Sequence, residues 1–318
     1  MTILCLGMST LDILVQGYEE PPRPGTTVFA ERVGMSVGGD AVNQAIALTR
    51  LGHDVQLGTV VGDDAAGAFV RTALGEARVD IRPVAVDPTL STTTSVVLID
   101  VEGERSFISA HGGSSDRYGA AHVQRDQFSH DVEVLSIGSL LVSKEFDLDV
   151  LPDLLDWAHE RGALTIADMV TDHPDVTLDD LSEVLKRLDY LVPSEGESMH
   201  YTGKVDPRAA ADVFASYGVG ATVIKRGSRG AVAVQGSDEV HTSTFVVPVV
   251  DTTGSGDSFV AGFVSGLASA LPLQQCLDRA AATAAISVQG LGATTNIRSL
   301  DQVDDLIARG QRRTLVTS

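Results

Sequence analysis

Short apolar runs and longer amphipathic stretches alternate along most of this chain. Residues 2–6, 55–61, 133–137, 164–167, 190–192 and 221–224 are short, largely apolar runs of strand length, the mark of buried strands. Between them the apolar period lengthens to that of a helix. One such stretch starts after Gly38-Gly39 and continues to Arg50, before Gly52. Others place Phe69, Val70, Ala73 and Leu74 on one face, or Leu151, Leu154, Leu155 and Ala158 within 148–159, and helices are also expected over 178–188 and 209–217. Strands alternating with helices through short turns predict an α/β fold with a mostly parallel sheet covered on both sides. The apolar run 244–250 reads as a further strand, and the last third as helices over 257–270, 273–288 and 300–309.

Two stretches break this rhythm. Residues 13–37 alternate at strand period around Pro21, Pro22, Pro24 and Gly25, and 93–101 and 106–110 flank an expected turn at Glu102-Gly103-Glu104. Together they predict one small β-sheet acting as a lid. No repeat, low-complexity tract or long linker divides the chain, so a single domain over 1–318 is expected, with the lid inserted from about 13–37 and 93–110.

Composition narrows the partners. The chain has 318 residues, 43% of them hydrophobic, and a formal charge of −20, which argues against nucleic acid or an anionic membrane as the main partner. An anionic small ligand remains compatible, because a pocket of N–H groups can override the global field. Cys5 and Cys276 show neither a disulfide framework nor metal-ligand spacing, and the eight histidines form no zinc pair. Without a basic leader or a membrane-length apolar run, a soluble cytoplasmic protein is expected.

The chemistry concentrates in Asp251-Thr252-Thr253-Gly254-Ser255-Gly256-Asp257. Gly254 and Gly256, flanking Ser255, allow a tight turn whose N–H groups converge at a helix start, a site for an anion, with the Asp257 carboxylate beside it. A base next to an anion hole suits phosphoryl transfer to a hydroxyl; Asp257 as an ordinary N-cap is the alternative. Asp12, beyond the first strand, could accept hydrogen bonds from substrate hydroxyls or simply form a turn. Gly38 and Gly39 permit close backbone approach, and Asn43 one turn later offers a donor and an acceptor to a polyol. Glu195 and Glu197 could hold a hydrated divalent ion or be favourable first-turn acids. The turn from Lys225 to Gly230, with Gly227, suits nucleotide phosphates or plain solvation.

The order and spacing of these pieces resemble the ribokinase-like, or PfkB, family of carbohydrate kinases over nearly the whole chain. Asp251-Thr252-Thr253-Gly254-Ser255-Gly256-Asp257-Ser258-Phe259-Val260-Ala261-Gly262-Phe263 matches the C-terminal signature. Gly38-Gly39-Asp40-Ala41-Val42-Asn43-Gln44-Ala45, with Arg50-Leu51-Gly52 and Val61-Gly62-Asp63-Asp64, matches the N-terminal one. The resemblance implies a three-layer α/β/α sandwich with a β lid that often mediates dimerisation. It implies a kinase using ATP and Mg²⁺ on a primary hydroxyl of a sugar-like substrate. Asp257 would be the catalytic base and Gly254, Ser255 and Gly256 the anion hole. Asp12, Gly38, Gly39 and Asn43 would bind sugar hydroxyls, and Ser194, Lys225, Gly227 and Gly230 would lie on the nucleotide side. Glu197 would join the magnesium network, and Asp251 and Thr253, with the turn at 288–293, would hold a monovalent cation such as K⁺.

Several positions depart from the family. Ser194 stands for the usual Asn, Ser255 for a commoner Ala, and Arg226 for the usual Leu. Ala281 falls where ribokinases have Asn, and Asp40 does not fit the pattern of the 2-keto-3-deoxygluconate kinases that Lys225-Arg226-Gly227 resembles. A nucleoside would want an apolar slot, for which Phe29, Phe107 and His111 are candidates. A phosphosugar would want converging cations, yet Arg23, Arg32, Arg105 and Lys144 show no clustered spacing. An uncharged sugar is therefore favoured, with a non-catalytic sensor as the reading from another class.

Overall fold

Ile3 and Cys5 point into one apolar cluster and Leu4 and Leu6 into another, so the first strand is buried on both faces. That alternation sets the architecture: a central sheet with helices packed on either side. The computed structural model describes residues 2–20, 23–101, 105–173 and 175–314. Glu102, Gly103 and Glu104, and Pro21 and Pro22 of the proline-rich loop, lie outside the described residues, as does the Arg105 side chain.

In chain order the elements are β1 (Thr2–Leu6), β2 (Thr10–Tyr18), β3 (Arg32–Gly38), α1 (Asp40–Arg50), β4 (Asp54–Gly62), α2 (Ala65–Glu76), β5 (Val84–Asp87), β6 (Thr94–Asp100) and β7 (Arg105–Ser109). They continue with β8 (Val132–Leu140), α3 (Leu151–His159), β9 (Leu164–Met169), α4 (Ser182–Leu185), β10 (Tyr190–Leu191), α5 (Glu195–Thr202), α6 (Pro207–Ser216) and β11 (Ala221–Lys225). The last are β12 (Ala231–Gln235), β13 (Asp238–Thr242), α7 (Ser255–Ala268), α8 (Leu273–Ser287) and α9 (Leu300–Arg309).

The large sheet has nine strands in the order β13-β12-β11-β10-β9-β8-β1-β4-β5. All neighbours are parallel except β11–β12 and β12–β13. One face carries α1, α2, α7 and α8, the other α3, α4 and α6. A four-stranded second sheet runs β3-β2-β6-β7. It joins the two expected strand pairs side by side, because β2 pairs antiparallel with β3 and parallel with β6. Its register sets Thr10 opposite Gly38 and Asp12 opposite Ser36.

Three local expectations need correction, and one hairpin lies outside them. The run 244–250 is not a strand: Phe245 alone bridges to Arg312, while Val246, Val249 and Val250 are half exposed. Pro248 has no N–H to give a ladder, and the segment instead crosses from the sheet edge toward α7. The helix expected over 178–188 shrinks to α4. The backbone N–H and hydroxyl of Thr177 both donate to Asp180, at 2.9 and 2.7 Å, a side-chain turn that competes with helix. The helix expected from 148 begins as a wide π turn, Phe146–Val150, and becomes regular only at Leu151, because Pro152 fits a first turn and not an interior. The hairpin β12–β13 was not anticipated, although Gly236-Ser237 between two β-rich runs is a recognisable two-residue loop. Among the described residues no helix is long and apolar enough to cross a membrane.

Candidate active site

Helix α7 begins at Gly254, whose φ of +64° is left-handed. A Cβ at Gly254 would also lie 2.3 Å from the Cβ of Ala293, so the turn closes only on glycine. First-turn amides of a helix lack i−4 carbonyl partners, and the macrodipole adds positive potential there. Asp257 is in this first turn but is not the N-cap; Gly254 holds that position. Its carboxylate is buried and accepts a hydrogen bond from Asn43 Nδ2 at 2.8 Å. Asn43 therefore does not face solvent, and the two signature motifs meet at this bond. Burial, followed by the nearby Asp40 carboxylate, pushes Asp257 well above the usual carboxylate range.

Lys225, at the end of β11, turns its ammonium inward. It pairs with Asp168 at the end of β9, and its Nζ lies 3.6 Å from where a Cβ on Gly256 would stand. The cation thus sits at the mouth of the α7 anion site. Carboxylates of Asp168 and Glu197 raise the Lys225 pKa against the opposing effect of burial. Burial pushes Asp168 up to about 7 despite the attraction of Lys225. The sequence did not single out Asp168. Its place at the carboxyl end of a strand, the same signal that drew attention to Asp12, could have done so.

A cleft of about 820 Å³ between the two sheets is lined among others by Met8, Thr10, Ser95, His111, Lys144 and Asp172. The Asp12 carboxylate accepts from Thr10 Oγ1 at 3.0 Å. Its Oδ2 occupies the space beside Gly38: a Cβ there would approach it to 2.1 Å, so glycine makes room for the carboxylate. Burial raises the Asp12 pKa. Gly39, with φ +103°, passes the chain into α1. His111 lines the cleft, whereas Phe29 and Phe107 are exposed and do not. Among the cations considered for a phosphosugar, Lys144 donates to Asp175 at 3.2 Å and Arg23 to Glu20 at 3.0 Å. Neither converges on Asp257.

A second cavity, of about 230 Å³, opens between the 227–230 turn and the α7–α8 pair. Lys225, Gly227, Gly230 and Gly256 border its polar end, and Val247, Val249, Ala284 and Val288 supply apolar walls suited to a flat base. The donor set fits a nucleotide, with amides and an ammonium at one end and apolar carbon at the other. Arg226 and Arg229 are not at the phosphate end of this arrangement; both bond Glu195. Ser194 is the N-cap of α5. Its hydroxyl accepts from Glu197 N at 3.2 Å while its own N–H donates to Glu197 Oε2 at 2.5 Å. Among the described residues no group of three or more His, Cys, Asp or Glu side chains that could hold a metal ion converges. Asp251 accepts from Thr253 N at 2.7 Å and Gly292 N at 2.9 Å, tying together the two loops considered for a monovalent cation.

The chain is similar to known proteins over nearly its whole length. The model of the pfkB family of carbohydrate kinases matches residues 2–300. A ribokinase from Schizosaccharomyces pombe is 29% identical over 319 residues, which cover 96% of this chain and 97% of that protein. Arabidopsis thaliana ribokinase, solved with ribose and ATP, superposes with a TM-score of 0.84 at 25% identity over 96% of this chain and 98% of its own. An Escherichia coli protein described as a ribokinase II, solved with ATP and Mg²⁺, gives a TM-score of 0.84 at 24% identity over 96% and 99% of the two chains.

Proposed function

This chain belongs to the pfkB family of carbohydrate kinases, and on that premise we propose that it transfers the γ-phosphoryl group of ATP to a primary hydroxyl of a sugar bound between the two sheets. The observation that carries the proposal is the contact of Asn43 with Asp257 at 2.8 Å, beside a helix start and a buried ammonium. Asp257 accepts the proton of the attacking hydroxyl. Its raised pKa makes it a stronger base than an exposed aspartate. Asn43 orients the carboxylate, and Asp12, with the backbone at Gly38 and Gly39, holds other hydroxyls of the acceptor. Gly254, Ser255 and Gly256 present amides to the charge that develops on the transferred group, and Lys225 adds a full positive charge at the same place. When bound, MgATP supplies the phosphoryl group and the divalent charge that neutralises its oxygens. Glu197 would hold the hydrated ion, with Ser194 beside it, and Gly227 and Gly230 would let the backbone close on the nucleotide.

We further propose that the chain is a single domain whose small sheet is a lid, and that Asp251 and Thr253 serve a monovalent cation such as K⁺. Acceptor-dependent ATP consumption over a panel of sugars and nucleosides tests the central reading. Asp257→Asn is expected to lower kcat by about 10²-fold or more while leaving the acceptor dissociation constant within a few-fold. A near-normal kcat in that variant would remove Asp257 from the role of base.

A further inference from the structure

Asp40 has no task in the mechanism above, yet it lies among the groups that do. It is the first residue of α1, one helical turn ahead of Asn43 and on the same face. Its carboxylate accepts a hydrogen bond from the hydroxyl of Ser139, at the end of β8. The backbone fixes this placement, because a Cβ on Gly138 would lie 2.5 Å from the amide nitrogen of Ala41. Ser139 borders a small hollow together with Met8, and Met8 also lines the large cleft. Asp40 is close enough to Asp257 for its charge to raise the pKa of that residue. Further out, the cleft carries Asp116, Glu145, Asp149 and Asp172 against Lys144, which already bonds Asp175. Lys225 is the cation that faces Asp40, and the carboxylates of Asp172 and Glu197 face it as well.

We propose that Asp40 is a specificity-determining residue that restricts the acceptor to uncharged polyhydroxyl compounds. Its carboxylate takes a hydrogen bond from an acceptor hydroxyl beside the one being phosphorylated, and it repels an acceptor carrying phosphate or carboxylate. The inference rests on the reading of the chain as a sugar kinase and adds the charge class of the sugar.

The test compares neutral sugars with phosphorylated partners that keep a free primary hydroxyl: D-fructose with D-fructose 6-phosphate, and D-ribose with D-ribose 1-phosphate. Wild type is expected to prefer the neutral member of a pair. Asp40→Asn keeps the shape and the Ser139 contact but removes the charge. It is expected to narrow the preference in kcat/KM by about tenfold or more, through a lower KM for the phosphorylated member. A preference unchanged within about twofold in that variant overturns the proposal, since a purely structural role would alter both members alike. A wild type that uses the phosphorylated partners as well as the neutral ones also overturns it. Asp40→Ser, checked by its melting temperature, gives the same reading if the Asn variant does not fold. Failure of the sugar-kinase reading looks different: wild type then consumes no ATP with any acceptor, and the inference falls with it.

Discussion

Asn43 and Asp257 are 214 positions apart in sequence and share one hydrogen bond. Desolvation of Asp257 and the charge of Asp40 favour its neutral form, and the Asn43 donor and Lys225 oppose them. As the proposed base, Asp257 works only when ionised, and its folded pKa is raised. Activity should therefore be full on the alkaline side and fall as pH drops through a value above the usual carboxylate range. A kcat/KM profile whose acid limb lies near pH 4 would contradict this picture of a raised base. At this scale the sequence was informative where glycine or paired motifs framed a residue, as at Asp257 and Asn43. It was silent at Asp168 and Ser139, which are single polar residues at strand ends whose importance comes from what the fold brings beside them. Lys225 is intermediate: its turn was noticed, but its burial against Asp168 depends on strands β9 and β11 ending near one another. The basic turn that suited nucleotide phosphates or plain solvation instead ties Arg226 and Arg229 to Glu195, 31 and 34 positions earlier.

Elements were legible in proportion to how much of their stability is local. Buried parallel strands announce themselves as apolar runs, and α1, α8 and α9 as periodic faces. The run 244–250 carried the same apolar signal for a different reason: its valines partly wall the second cavity, and Pro248 keeps them out of the ladder. The start of α7 was readable because its geometry demands glycine. Gly254→Ala should cost about 1–2 kcal/mol for the left-handed backbone alone. The collision with Ala293, at 2.3 Å, adds to that cost and pushes the 288–293 turn away. A lower melting temperature together with a lower kcat is expected. An unchanged kcat in a folded Ala variant would show that the amides of this turn do not have to be held so tightly.

The whole molecule divides its duties between two sheets. The larger one is covered on both faces, while the smaller leaves Val33, Met35 and Ile108, which share one face, more than half exposed. On a chain of net charge −20, we propose that this apolar face docks a second copy of the chain, the lid-mediated dimer that the family resemblance implies. Sedimentation should give a dimer for wild type and a monomer for the double variant Val33→Glu, Met35→Glu. A wild-type monomer at micromolar concentration would reject it. The bond between Asn43 and Asp257 has a consequence of another kind. A ribosome makes Asn43, Asp168 and Lys225 well before it makes α7, so the pocket waits without its proposed base until the final helices dock. On this mechanism a chain not yet extended through α7 cannot spend nucleotide, and catalytic competence requires that α7 be made and docked.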